Sequence, residues 1–301
     1  MLDLCSVSEA QMPELFESIA CIGTLKRGVA SELGLPEDIK VIAGCGDNAA
    51  AAVGLGVVGD GKCNISMGTS GTVFISTEKF RADPNNSLHT FAHADGGYHL
   101  MGCMLSAASC NKWLLESILK TNDYLGEQNQ ISEEMLGVNR VFFLPYLMGE
   151  RSPINDTNAR GVFIGMTLNT SRSDLILSVL EGVAFAIRDS VEVARSMGIG
   201  MNASGICGGG AKSKLWKRIL ANVLNARLEC MATEQGPSMG AAMLAMVACG
   251  EYQDVKSACK ELVAVSSMVM PEPELTSKYE ESYQKFRKIY PAVKNIFPDL
   301  K

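Results

Sequence analysis

The sequence predicts an α/β fold, and three observations carry that expectation. Short runs rich in β-branched and apolar residues alternate with amphipathic helical stretches along the chain. No repeat of solenoid period and no low-complexity tract breaks the alternation. With 301 residues, 47% of them apolar, the chain can bury one large core or two moderate ones.

Taken in order, residues 1–39 form a weakly periodic lead-in with a short helix expected at 26–33, closed by Gly34 and Pro36. Residues 40–43 read as a strand that runs into Gly44-Cys45-Gly46-Asp47, and 48–53 as an alanine-rich helix, so that a sharp turn displays Asp47. Two β-type runs at 62–67 and 72–76 flank Gly68-Thr69-Ser70-Gly71, a hairpin by its turn chemistry. A third strand is expected at 98–104 and a helix at 111–120. Ser171 and Asp174 spell a capping box for a long helix whose Ile176, Leu180, Val183, Ile187, Val191 and Ala194 recur at spacings of four and three, which makes them core. Then follow a strand at 205–207, a Gly208-Gly209-Gly210 turn, a helix at 213–224, a strand at 227–231 and a helix at 239–249. The last helix, near 277–289, is charged on most sides and reads as a surface helix.

Composition excludes several function classes. A formal net charge of -6 supplies no basic field for nucleic acid. No apolar run approaches the roughly 18 residues of a membrane span, and the acidic first residues lack the basic start of a signal peptide, so a cytoplasmic location is expected. Ten cysteines lack metal-ligand or disulfide-framework spacing and read as small buried hydrophobes. His89, His93 and His99 have no partner at nucleophile or metal spacing, and the sixteen methionines read as core filler.

Two phosphate motifs are tested and rejected. Gly54-Leu55-Gly56-Val57-Val58-Gly59 spells a dinucleotide fingerprint but follows a helix where a strand is required. Residues 205–213 resemble a P-loop, yet Ala211 stands where the glycine before the lysine belongs. What remains is a set of glycine turns at strand ends separated by long stretches.

In that order, Gly44 to Ala50, Gly68-Thr69-Ser70, Gly149-Glu150-Arg151-Ser152-Pro153, Ala159-Arg160-Gly161 and the run Gly161 to Met166 with Asp174, Leu175, Ser178 and Glu181 resemble the C-terminal half of the FGGY carbohydrate kinases. Gly208 to Ser213 and Gly236 to Ala242 continue the likeness. The resemblance implies a ribonuclease H-like ATPase domain of the actin, hexokinase and Hsp70 type over residues 41–301, with 1–40 as a segment that normally follows an N-terminal domain. A loop of the kind that carries the other phosphate contacts does not precede Asp47, so the chain is expected to be a fragment or split product whose stand-alone catalysis is in question.

The residue alone reads first as a helix cap; the resemblance makes Asp47 the base that takes the sugar hydroxyl proton, and the two roles are compatible. Asn48 is implied as a sugar contact, or else is a polar first-turn residue, and the Asp-Asn pair is closer to ketopentose-phosphorylating members than to those acting on glycerol. Gly68, Thr69 and Ser70 would meet phosphate, although a plain hairpin turn looks the same. Gly161, Gly208, Gly209, Gly210, Ala211 and Ser213 are implied as further ATP contacts, with a tight strand-to-helix turn as the alternative for 208–210. ATP and Mg²⁺ are the implied cofactors, D-xylulose the favoured substrate, and gluconate, ribulose or glycerol the alternatives. A non-catalytic nucleotide-binding module that needs a separate N-terminal half stands as the rival; an N-terminal kinase half or a second copy of the chain is the expected protein partner. Glu150 and Arg151 read either as a pair at a domain boundary or as a solvated loop and are left outside the site.

Overall fold

The computed structural model describes residues 1–232 and 235–300. Its first part holds β1 (Cys21–Thr24), α1 (Arg27–Leu33), β2 (Lys40–Ile42) and α2 (Asp47–Gly54). There follow β3 (Cys63–Met67), β4 (Gly71–Thr77), β5 (His89–Ala92), β6 (Tyr98–Met104), α3 (Ala108–Lys112) and α4 (Tyr124–Asn129). A short pair, β7 (Phe142–Leu144) and β8 (Val162–Ile164), precedes α5 (Arg172–Ser196), β9 (Ala203–Cys207), α6 (Lys214–Leu224) and β10 (Arg227–Met231). The chain closes with α7 (Gly236–Cys249), α8 (Val255–Leu262), β11 (Val265–Val269), α9 (Pro273–Phe286) and α10 (Ile289–Val293).

Seven strands form the main sheet in the order β11-β10-β9-β3-β4-β6-β5. β3, β9 and β10 run parallel, and β4 is antiparallel to both β3 and β6. Counting β3, β4, β6, β9 and β10 as strands one to five gives the spatial order 3-2-1-4-5 with the second reversed, which is the ribonuclease H-like arrangement. β5 and β11 extend its two edges, each antiparallel to its neighbour.

Alternation along the strands divides the core. On β4, Val73 and Ile75 point into the large cluster built on α5 and α6, whereas Phe74 points to the other face and packs with Ala52 of α2 and Leu55 just after it. The capping box predicted for α5 is present: the Ser171 hydroxyl accepts from Asp174 N–H, and the Asp174 carboxylate accepts from Ser171 N–H at 2.7 Å. All six residues of its predicted stripe are buried. On the opposite face α2 and α7 touch backbone to backbone, since a Cβ on Gly240 would lie 1.8 Å from the Ala50 carbonyl oxygen. Gly54, the first glycine of the rejected dinucleotide motif, is used in this contact: its Cβ would meet the Gly236 carbonyl at 2.7 Å.

Several expectations are corrected. α9 is no bare surface helix, because Leu275, Tyr279, Tyr283 and Phe286 are buried, the three aromatic rings against Phe185 of α5. The helix expected at 111–120 begins at Ala108 and passes at Trp113 into a π-helical turn, Trp113–Ile118. Only Cys63, Cys110 and Cys259 are buried cysteines; Cys5, Cys21, Cys45 and Cys249 are exposed. β2 pairs with β1, a strand that periodicity does not reveal, and not with the main sheet.

Candidate functional site

β3 and β9 are adjacent and parallel, with Ser66 opposite Cys207, so the turns that follow them leave the sheet side by side. Crevices outside the carboxyl ends of parallel strands are where α/β sheets bind ligands. Here the crevice is a cavity of about 730 Å³, within the usual size range of ligand pockets. Gly68 and Thr69 line one side, and Gly209, Gly210, Lys212 and Ser213 another. α3 contributes Ala108, Ser109, Asn111 and Lys112; α4 contributes Tyr124, Leu125 and Gln128; Trp216 of α6 completes the wall.

The turn after β3 is tied down through its carbonyls. Ala107 N–H and the Ser109 hydroxyl donate to the Thr69 carbonyl at 2.9 and 2.8 Å, and Ala108 N–H donates to the Gly68 carbonyl at 2.9 Å. Gly208 makes the second turn possible: its φ is 89°, and a Cβ there would come within 2.8 Å of the Met67 carbonyl carbon. A Cβ on Gly209 would instead meet nothing within 4 Å, so bare backbone faces open space at the cavity. Ser213 caps α6 by accepting from Trp216 N–H at 3.0 Å, and its hydroxyl donates to Gln128 Oε1 at 2.6 Å, which joins α6 to α4. The indole N–H of Trp216 donates to the Leu180 carbonyl at 2.8 Å, holding the ring against the cavity floor. Asn111 is buried, and its Oδ1 has no hydrogen-bond partner among the described residues, an acceptor awaiting a donor.

Among the residues expected from sequence, Gly68, Thr69, Gly209, Gly210 and Ser213 thus come together around one cavity. Ser70 is exposed on the same turn, Gly208 supports it from beneath, and Ala211 is buried. Gly161 is not among the lining residues; it packs beside Leu147 and Phe143, where β7 and β8 pair. Ser109, Asn111, Tyr124, Leu125, Gln128 and Trp216 escaped sequence reasoning. Trp216 alone carried a signal, three residues after a recognised helix start.

Asp47 and Asn48 do not line the cavity. They open α2, which lies on the other face of the sheet, and both are exposed. The C-terminal end of α2 meets the β5–β6 hairpin, where His93 Nε2 bonds the Val57 carbonyl at 2.9 Å. Asp47 is not the cap: Gly46 is, without a side-chain bond, and Asp47 Oδ1 accepts from Asn48 N–H at 2.9 Å as the first helical residue.

Glu150 is no part of a solvated loop. It is 2% exposed, and burial pushes its carboxyl up to about 7.

The pattern of the FGGY family of carbohydrate kinases, C-terminal domain, matches residues 63–249, and that of the N-terminal domain of the same family matches residues 1–54. This chain belongs to the FGGY family of carbohydrate kinases. Within this FGGY chain, Asp47 and Asn48 fall in the N-terminal-domain match and the whole cavity in the C-terminal one. The chain is 36% identical to the xylulose kinase of Escherichia coli over 294 residues, which cover 96% of this chain and 60% of that protein. It superposes with a TM-score of 0.91 on a Brucella ovis kinase described as a "xyloylose kinase", at 35% identity, covering 98% of this chain and 60% of that one. A gluconate kinase of Lactobacillus acidophilus superposes at 0.92 with 25% identity, covering 100% and 61%. The FGGY chain therefore spans about 60% of the length of the relatives it matches.

Proposed function

We propose that this FGGY chain supplies the ATP-binding part of a kinase that transfers the γ-phosphoryl group to a primary hydroxyl of a ketopentose, D-xylulose yielding D-xylulose 5-phosphate. The observation that carries the reading is the convergence of the Gly68 and Gly208 turns on one cavity with an aromatic wall and an orphaned buried acceptor on Asn111. Residues 41–301 act as the ATP-binding unit and 1–40 as the segment that leads into it. Gly68, Thr69 and Ser70 receive the phosphates, while Gly209 and Gly210 present bare backbone to the nucleoside. Gly161, distant in its packing, acts by fixing the β7–β8 pair.

At the tip of α2, Asp47 accepts the proton of the attacking hydroxyl, and Asn48 orients the sugar. A carboxylate suffices as the proton acceptor because phosphoryl transfer depends chiefly on alignment and charge neutralisation. Mg²⁺, when bound with the nucleotide, would supply that charge neutralisation. Among the described residues no group of three or more His, Cys, Asp or Glu could hold a metal ion; a magnesium ion would be held mainly through the phosphates of the nucleotide, and Asp47 is kept as the proton acceptor.

Likeness to the gluconate kinase keeps a second sugar open. Calorimetric titration of the chain and of Asp47→Ala with ATP and Mg²⁺, followed by a coupled assay with D-xylulose and gluconate, decides between the readings. Equal ATP binding in both proteins, with phosphorylation of D-xylulose abolished in the variant, is the expected result. Absence of ATP binding would sink the nucleotide site, and turnover of gluconate alone would replace the substrate. Binding without turnover in either protein would make this chain a nucleotide-binding module that needs a second half.

A further inference from the structure

Glu150 is a buried acid with no part in the cavity, yet its bonds lead there. Its Oε1 accepts from Leu105 N–H at 2.9 Å and from Arg151 N–H at 2.7 Å. The neighbouring Ser152 N–H donates to the Cys103 carbonyl at 3.0 Å, so the 150–152 loop clamps the exit of β6 at two points. Two residues beyond Leu105, Ala107 and Ala108 donate the bonds that hold the Thr69 and Gly68 carbonyls. The second carboxyl oxygen, Oε2, is buried without a partner among the described residues, as are the hydroxyls of Ser106 and Ser152 on the two clamped segments.

We infer that Glu150 is a positioning residue for nucleotide binding: through Leu105 it fixes the segment that holds the Gly68–Ser70 turn in place. This rests on the reading of that turn as a phosphate contact. The titratable and charged groups facing Glu150 are the Cys103 thiol of β6, the Cys110 thiol of α3, the Tyr146 phenol and the Arg151 guanidinium; backbone bonds alone join it to Asp156. Of these, Arg151 alone favours the ionised acid, and burial, which outweighs it, brings the carboxyl to about 7. The ionised form accepts from Leu105 and Arg151 N–H more strongly than the neutral one, because charge-assisted bonds are roughly twice as strong. Gln at this position keeps the shape and the acceptor but not the charge.

The test is calorimetric titration of the full chain, Glu150→Gln and Glu150→Ala with ATP and Mg²⁺ between pH 6 and 8, with circular dichroism to check folding. In Glu150→Ala two backbone N–H groups, those of Leu105 and Arg151, lose their acceptor, and the ATP Kd is expected to rise roughly ten-fold. Comparing Glu150→Gln with the parent at each pH cancels the ionisation of ATP itself. Their Kd ratio should be near one at pH 6 and rise to about three at pH 8, as only the parent gains a charged acceptor. A structural role alone would not produce that pH-dependent ratio. If the parent binds and the ratio stays flat, the inference about Glu150 is wrong even where Glu150→Ala fails to fold. If the parent does not bind ATP at any pH, the nucleotide-site reading falls first and takes this inference with it.

Discussion

Gly208 and Gly209 stand side by side in one turn and do different work. The first has a φ of 89° and backbone within 2.8 Å of any added Cβ; the second has open space. Gly208→Ala is therefore expected to lower unfolding free energy by about 1–3 kcal/mol, visible in urea titrations, and to weaken ATP binding as the turn shifts. Gly209→Ala should leave stability unchanged and still weaken ATP binding, since its methyl group would occupy space at the cavity. Equal urea midpoints for both variants would contradict this division. From sequence, the three glycines of 208–210 are alike; neither positive φ nor the closeness of Met67 can be read from the letters. Asp47 shows the complement: its type and its turn were legible, but its place on the opposite face of the sheet from the cavity was not.

At the scale of elements, the contact between α2 and α7 joins the proposed base to the rest of the molecule. Gly240 lies so close to Ala50 that its Cβ would be 1.8 Å from a carbonyl oxygen, and helices meeting at bare backbone cannot accept even one methyl group without separating. Gly240→Ala is expected to cost about 1–3 kcal/mol by overpacking. Because α2 carries Asp47 while the cavity is built by other elements, the variant should lose turnover while the ATP Kd changes little. Steady-state kinetics beside calorimetry checks this, and a parallel loss of both would mean that α2 also shapes the nucleotide site. The long helix α5 was predictable down to its capping box because both the Ser171–Asp174 pair and the apolar stripe are local. The strands β1, β7, β8 and β11 were not, since each is short and is fixed by pairing with a segment well away along the chain; β5, four residues long, pairs with the neighbouring β6.

For the whole molecule, acids raised by burial couple folding to pH: Glu150 and Glu181 are the most buried, and half-buried Asp189 is raised to about 6. Burial raises Glu150 to about 7 and Glu181 to about 8, with Gly137 N–H pulling Glu181 the other way. An unfolded glutamate titrates at about 4.3, so the folded chain holds these protons more tightly. Their contribution to stability is complete below about pH 4 and is lost as pH rises through 7 and 8. Asp83 works oppositely: burial pushes its carboxyl up, but backbone N–H bonds from Asn85, Ser87 and Leu88 outweigh burial and hold it below the usual range, so its contribution is lost in acid. The expected result in scanning calorimetry is a melting temperature that falls between pH 5.5 and 8.5. Glu181→Gln, which mimics the protonated acid, should flatten the slope and raise the melting temperature most at the alkaline end. Parallel curves for the two proteins would show that Glu181 is not protonated in the folded chain.

What the sequence determined by itself was the α/β class, the β3–β4 hairpin, the core stripe of α5 and the ordered glycine turns that lead to the FGGY family. Each of these rests on local periodicity or on turn chemistry within a few residues. Only the tertiary structure decided that α3 and α4 wall the cavity, that the Asn111 Oδ1 is buried without a partner among the described residues, that α9 buries three aromatic rings, and that Glu150 is buried. These depend on which distant segments come to lie against one another, and burial, unlike helical period, is a property of that arrangement and not of neighbours in the chain.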